Sequence, residues 1–196
     1  MRICVYGAAS PTIDPEYMEL VEQMGKEMVS RGHSLVFGGG GNGLMGAAAR
    51  GVRSAGGHIL GVIPKFFDEE NVEAICDFCD ELIQPNTMRE RKQIMEDNAD
   101  AFIMVPGGIG TYEEFFEIMT LKQLGQHKKP VALLNINGYY DSLIKMLSVA
   151  VKEGFMTEKS RLLLPAFSEA NEILDYFYGY NPEEYEFSVL KKVKTD

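Results

Sequence analysis

Two glycine runs fall where a short apolar segment gives way to a helical pattern, and that placement limits what this chain can fold into. The first, Gly38-Gly39-Gly40-Gly41-Asn42-Gly43-Leu44-Met45-Gly46, follows the apolar segment SLVF. The second, Pro106-Gly107-Gly108-Ile109-Gly110-Thr111, follows AFIMV. A strand that turns sharply into a helix is the repeating step of a parallel α/β sheet, because parallel neighbours need a helical crossover. Other segments keep the same rhythm. Residues 2–6, 34–37, 58–63, 101–105 and 131–134 read as strands, with 81–84 a short further one. Residues 15–31, 44–54, 87–97, 111–124 and 140–153 read as helices, several of them stopped by glycine. Fully apolar strands imply a sheet covered on both faces. The end of the chain is less patterned: residues 162–164 read as an edge strand and 170–177 as a final helix. The expectation is one α/β domain over residues 1–180, mostly parallel in its sheet, with a tail at 181–196.

Composition narrows the function classes. With 19 Lys and Arg against 29 Asp and Glu, the chain carries a net charge of −10. Phosphate neutralisation on DNA or RNA needs clustered basic residues, so no nucleic-acid partner is expected. The basic cluster Lys191, Lys192 and Lys194 reads as a solvated tail. No apolar run approaches the roughly 20 residues that span a bilayer, so no membrane partner is expected. The first ten residues lack the pattern of a signal peptide. Three cysteines are too few for a disulfide scaffold and fit a reducing, cytoplasmic setting.

Glycines let backbone amides approach an anion, and a helix N-terminus adds free N–H groups and a positive dipole end. A phosphate is the occupant these two loops predict. Neither run is a P-loop, since no Gly-Lys-Ser/Thr follows. No acidic residue stands at the end of the next strand (Gly61-Val62-Ile63-Pro64) to hold a dinucleotide ribose. A mononucleotide or a sugar phosphate fits better.

Two charged residues point inward. Thr87 and Glu90 form a capping box that starts a helix. Met88, Arg91, Lys92 and Met95 then share one face, while Arg89, Gln93 and Glu96 point away. An inward guanidinium needs an anion: a buried carboxylate in one reading, a ligand in the other. Glu113 shares a face with Glu117 and Thr120 and reads as solvent-facing. Glu114 lies over Ile118 and Leu121, directed inward, and is open to two readings: a capping box with Thr111, or a site carboxylate facing Arg91. Ser10 follows the first strand, within reach of a substrate. Cys76-Asp77-Phe78-Cys79 is a CxxC without a second pair, so a metal site is not expected and a redox role stays open. His33, His58 and His127 are scattered without metal spacing.

Three motifs together carry a resemblance. Residues 106–114 match PGGxGTxxE, residues 38–46 match GGGxxGLMG, and residues 88–92 match MxxRK. The chain resembles the LONELY GUY family of cytokinin riboside 5′-monophosphate phosphoribohydrolases over roughly residues 1–178. Relatives of that family are often mislabelled lysine decarboxylases. The resemblance implies a three-layer Rossmann-like fold, a homodimer, and cleavage of the N-glycosidic bond of AMP or N6-substituted AMP to free base and ribose 5-phosphate. It implies catalytic roles for Arg91 and Glu114. It places the phosphate at Gly107, Gly108, Gly110 and Thr111, and the nucleotide beside Gly40, Gly41, Asn42 and Gly43; Met88, Lys92 and Ser10 join the substrate-binding residues. No cofactor is implied. Pyridoxal phosphate would require a Schiff-base lysine, and no lysine stands out in the sequence. One departure is Gly7-Ala8-Ala9-Ser10, where the family has a CGSS-like stretch; the segment after Pro165 also differs. Molybdenum-cofactor carriers, which hold a phosphorylated pterin without turnover, are the rival reading; a carrier has no need of the Arg91/Glu114 pair.

Overall fold

A computed structural model describes residues 1–69 and 73–182. The expected tail and its lysine cluster lie outside these residues, apart from 181 and 182. In chain order the elements are β1 (Arg2–Tyr6), α1 (Pro15–Ser30), β2 (Ser34–Phe37), α2 (Gly43–Ser54), β3 (Ile59–Val62), α3 (Lys65–Glu69), β4 (Glu81–Ile83) and α4 (Met88–Asn98). They continue with β5 (Ala101–Met104), α5 (Ile109–Gln123), β6 (Val131–Leu134), α6 (Asp141–Lys152), α7 (Glu158–Leu162), β7 (Ala166–Phe167) and α8 (Ala170–Gly179). Among the described residues the seven strands are parallel, in the order β4-β3-β2-β1-β5-β6-β7.

The strands alternate between two buried clusters, which is why they read as continuous apolar runs. Ile3, Val5, Leu35, Phe37, Ile103 and Val105 face α1, α2 and α8. Cys4, Tyr6, Val36, Phe102, Met104 and Leu133 face the layer holding Met95 of α4 and Phe115 and Ile118 of α5. No helix among the described residues is long and apolar enough to cross a membrane.

Strand order reverses between β1 and β5. From β1 the chain steps outward through β2, β3 and β4; from β5 it steps the other way. In such sheets ligands bind in the crevice beyond the carboxyl ends of the two strands at the reversal. The loops that leave β1 and β5 are the 7–10 stretch and the second glycine run.

Two expectations are corrected. Residues 162–164 are not an edge strand: Thr157 caps α7 by accepting the Ser160 N–H (3.1 Å), so this leucine run closes a helix and the turn after it. Leu162 is 56% exposed and Leu163 fully covered, a pattern set by the helical turn. The edge strand is β7, whose Ala166 and Phe167 pair with Leu133 and Leu134. The second correction is that α5 begins at Ile109 rather than Thr111, with Gly108 as its N-cap.

Candidate active site

At the reversal point lies a cleft of about 390 Å³. Residues 7–10 form one wall, and Gly108, Gly110 and Thr111 from the start of α5 form another. Met45, Phe67 and Met88 add apolar surface, and Arg91, Glu114 and Glu73 bring charge. A larger hollow of about 460 Å³ lies beside α1 and α8. Its polar groups already bond one another, as Gln23 to Glu27 and Asn135 to Asp141.

Arg91 is held by the sheet. The capping box at Thr87 and Glu90 starts α4 at Met88, which brings Arg91 over the carboxyl edge of β2 and β3. Its Nε donates to the Val62 carbonyl (3.1 Å) and its Nη2 to the Gly38 carbonyl (3.4 Å). A Cβ on Gly38 would overlap Nη2, so the first glycine of the first run makes room for the guanidinium. The third nitrogen, Nη1, lies 3.6 Å from Oε1 of Glu114, and the Phe67 ring centroid is 5.8 Å from the guanidinium carbon.

Glu114 is 7% exposed. Burial pushes its carboxyl up to about 7, with the Arg91 charge pulling the other way. Because α5 starts at Ile109, Thr111 is its third residue and does not cap it, so Glu114 has no capping partner there. The carboxylate that neutralises Arg91 is thus the one that faces the cleft, and the two readings of each residue meet in one pair.

Around the second glycine run, Tyr139 donates to the Gly107 carbonyl (2.8 Å) and Tyr140 to that of Val105 (2.6 Å). These bonds hold the turn, and Thr111 packs against Gly107. Gly108, Ile109 and Gly110 are exposed, so the first turn of α5 offers amides that have no partner within the helix.

The first glycine run is placed differently. Gly41 donates to the Ala74 carbonyl (2.7 Å), Gly40 bridges to Ile75, and the Gly39 carbonyl accepts from Cys76 (2.9 Å). Gly43 has φ +57° and sits against the backbone of residues 8–10, where Leu44 donates to the Ala8 carbonyl (2.8 Å). Asn42 is the N-cap of α2 without a side-chain bond. Gly40, Gly41, Asn42 and Gly43 therefore stand behind the lining, Gly40 against Glu73 and Gly43 against residues 8–10, while Met45 reaches the cleft. Ser10 stands on the exposed lip, its Oγ 2.9 Å from that of Thr12. Lys92 does not line the cleft; it binds Glu113 and Glu117 at 2.5 Å each, clamping α4 to α5. Burial presses its pKa down, but those two carboxylates outweigh it and the net shift is upward.

Sequence reasoning passed over Glu73. Its carboxylate reaches the cleft, and Oε1 is buried with no hydrogen-bond partner. Burial raises its pKa and the Arg91 charge opposes that. No periodic pattern surrounds residue 73, so nothing local marked it. Lys122 was also missed: it is buried near the end of α5 with its pKa lowered to about 7 by burial, 5.0 Å from the Tyr180 ring centroid. It stands about 16 Å along α5 from Thr111, three turns from the cleft. Among the described residues no group of three or more His, Cys, Asp or Glu is gathered for a metal ion.

Glu96 does not point away as expected. It is half-buried, and burial together with the charges of Glu117 and Asp97 pushes its pKa up to about 7. The folded state then holds a proton that the unfolded chain has released between pH about 4.5 and about 7. The stability contributed is present at low pH and lost as pH rises through that window. Glu96→Gln is accordingly expected to raise Tm at pH 8 and leave it nearly unchanged at pH 4, by calorimetry. An equal shift at both pH values would contradict this.

Comparison with known proteins adds to this geometry. A family model described as "Possible lysine decarboxylase" matches residues 45–177. The cytokinin riboside 5′-monophosphate phosphoribohydrolase LOG7 of Arabidopsis thaliana is 42% identical over 182 residues, covering 93% of this chain and 83% of that one. The phosphoribohydrolase LOG of Oryza sativa subsp. japonica is also 42% identical over 182 residues, with 93% and 74% covered. Among solved structures, the molybdenum cofactor binding protein of Rippkaea orientalis superposes with a TM-score of 0.68 at 23% identity, covering 90% and 94% of the two chains. The molybdenum cofactor carrier protein of Chlamydomonas reinhardtii gives 0.65 at 22% identity, covering 89% and 98%. At such identity these two structures speak for the Rossmann-like fold alone. The family match and the relatives, taken over nearly the whole length, place this chain in the LOG family.

Proposed function

We propose that this protein hydrolyses the N-glycosidic bond of AMP or an N6-substituted AMP, releasing the free base and ribose 5-phosphate. The observation that carries this reading is the buried Arg91–Glu114 pair facing a helix N-terminus across one cleft. The α5 amides around Gly108 and Gly110, with Thr111, hold the 5′-phosphate. That anchoring directs the ribose toward Glu114. Glycosidic cleavage passes through an oxocarbenium-like state, and a carboxylate beside the anomeric carbon stabilises that cation or takes a proton from the attacking water. Arg91, held by two carbonyls, keeps Glu114 oriented and offers Nη1 to the substrate. Met88, Met45 and Phe67 supply the apolar surface that a purine ring requires. The mislabel of the family has no support here, because among the described residues the one lysine with a strongly lowered pKa, Lys122, stands away from the cleft. A homodimer in the cytoplasm completes the proposal; the three free cysteines suit a reducing compartment.

The test is chromatographic separation of products from AMP, N6-isopentenyl-AMP and adenosine. Free base is expected from both nucleotides, with kcat/KM for adenosine lower by about 100-fold or more because the phosphate's binding energy is absent. Tight binding of the nucleotides without any base release would overturn the hydrolase and favour the carrier reading.

A further inference from the structure

The CxxC motif takes no part in the reaction above, yet it sits on the segment that closes the back of the cleft. Residues 77 and 78 form a turn. Its flanking residues are Cys76 and Cys79, and a four-residue turn keeps its outer Cα atoms within about 7 Å. A disulfide spans about 4.4–6.8 Å between Cα atoms, a range that overlaps the reach of such a turn. The neighbouring Cys79 thiol and the Phe78 backbone hold the Cys76 thiol below its ordinary range, at about 7, against the effect of burial. Cys79 is half-buried and lies over Gly61, where no side chain intervenes, whereas Cys4 is sealed in the core.

Both ends of this turn are tied down. On one side Cys76 donates to the Gly39 carbonyl (2.9 Å), Gly41 donates to Ala74 (2.7 Å), and Glu73 enters the cleft. On the other, Asp80 exchanges bonds with Ile59 of β3 (3.1 and 2.9 Å) and pairs with Arg53 (3.2 Å). Closure draws the two sulfurs to about 2.05 Å, and the turn takes up that movement next to the Cys76–Gly39 and Gly41–Ala74 bonds.

We propose that Cys76 and Cys79 are a redox modification site, closed to a disulfide by a small disulfide such as oxidised glutathione, and that closure loosens the segment carrying Glu73 from the first glycine run. With one proton shared by the pair, the thiolate of the pair attacks the oxidant's S–S bond, forming a mixed disulfide and releasing one thiolate. That thiolate takes the proton from the remaining protein thiol, whose sulfur then displaces the second thiolate. The protein loses two electrons, one glutathione disulfide becomes one thiol and one thiolate, and the new S–S bond replaces the old one.

The experiment equilibrates the reduced, full-length protein in glutathione buffers of increasing oxidised fraction. Free thiols and intact mass are counted, and backbone hydrogen exchange is followed. Two of the three thiols are expected to disappear together, without a lasting glutathione adduct, while Cys4 stays reduced. The Cys76 and Gly41 amides are expected to exchange at least about fivefold faster in the oxidised form, with dithiothreitol restoring both. Cys79→Ser is expected to lose no thiol pair and to keep slow exchange. Three thiols persisting in the most oxidising buffer would overturn the site, and a disulfide without faster exchange would overturn its coupling to the cleft. The kinetic arm rests on the proposed hydrolase: oxidation raises KM for AMP by about fivefold or more, the lower end of ordinary coupling between sites. Thiol counts and exchange need no turnover, so failure of the hydrolase reading and failure of this one are told apart.

Discussion

Glu114→Gln is expected to lower kcat for base release from AMP by about 1,000-fold, the scale on which a positioned carboxylate contributes to acid–base and electrostatic catalysis. The substitution keeps the size of the side chain and removes the charge that the oxocarbenium-like state needs. KM should change little, because the proposed phosphate site at the α5 amides does not involve residue 114. The wild-type pH profile makes the same point. With its carboxyl pushed up to about 7, Glu114 is largely protonated at pH 6 and largely ionised at pH 8. If the ionised form is the reactive one, kcat/KM rises about tenfold per pH unit below 7 and levels off above it, and the variant's residual rate lacks that limb. A variant retaining more than about a tenth of wild-type kcat would remove Glu114 from the chemistry.

Arg91→Met should cost both activity and stability. It strips the cation 3.6 Å from Glu114 and leaves a carboxyl that is 7% exposed without its counter-charge. Breaking a buried pair from one side typically costs about 3–5 kcal/mol. Protonation relieves part of that, since the carboxyl becomes neutral when its pKa climbs further. The loss of Tm is therefore expected to be smaller at pH 6 than at pH 8. The double variant Arg91→Met/Glu114→Gln separates the two roles: it regains much of the stability and none of the base release. Additive losses in the double variant, read by thermal denaturation, would mean that the two side chains do not act as a buried pair.

Much of the architecture was legible because the signals were local. Apolar strands running into glycine, Met and Val at helical spacing in α1, and the Thr87–Glu90 capping box each act over a few residues. They are recoverable from order alone. The failures have physical causes too. Residues 162–164 look like a strand because three leucines carry no phase, and only the Thr157 cap decides for a helix. Helix α5 starts two residues before the first side chain able to cap it, because the exposed Gly108 serves as the N-cap. The helix wheel places Glu96 toward water, yet half of it is covered.

By itself the sequence determined the βα succession, the two glycine junctions, the inward faces of Arg91 and Glu114, and the family to which their motifs belong. Each of these is a matter of spacing along the chain. What only the tertiary structure decided is what occupies each junction. The first glycine run spends its amides and carbonyls on residues 74–76 and opens space at Gly38 for the Arg91 guanidinium, while the second leaves its amides exposed. Arg91 meets Val62, Gly38 and Glu114, residues 29, 53 and 23 positions away, and Glu73 enters the same cleft with a buried oxygen unpaired. Such contacts arise where strand order reverses and distant loops converge. Burial at that convergence, which no local pattern encodes, is what moves the Glu114 carboxyl to about 7.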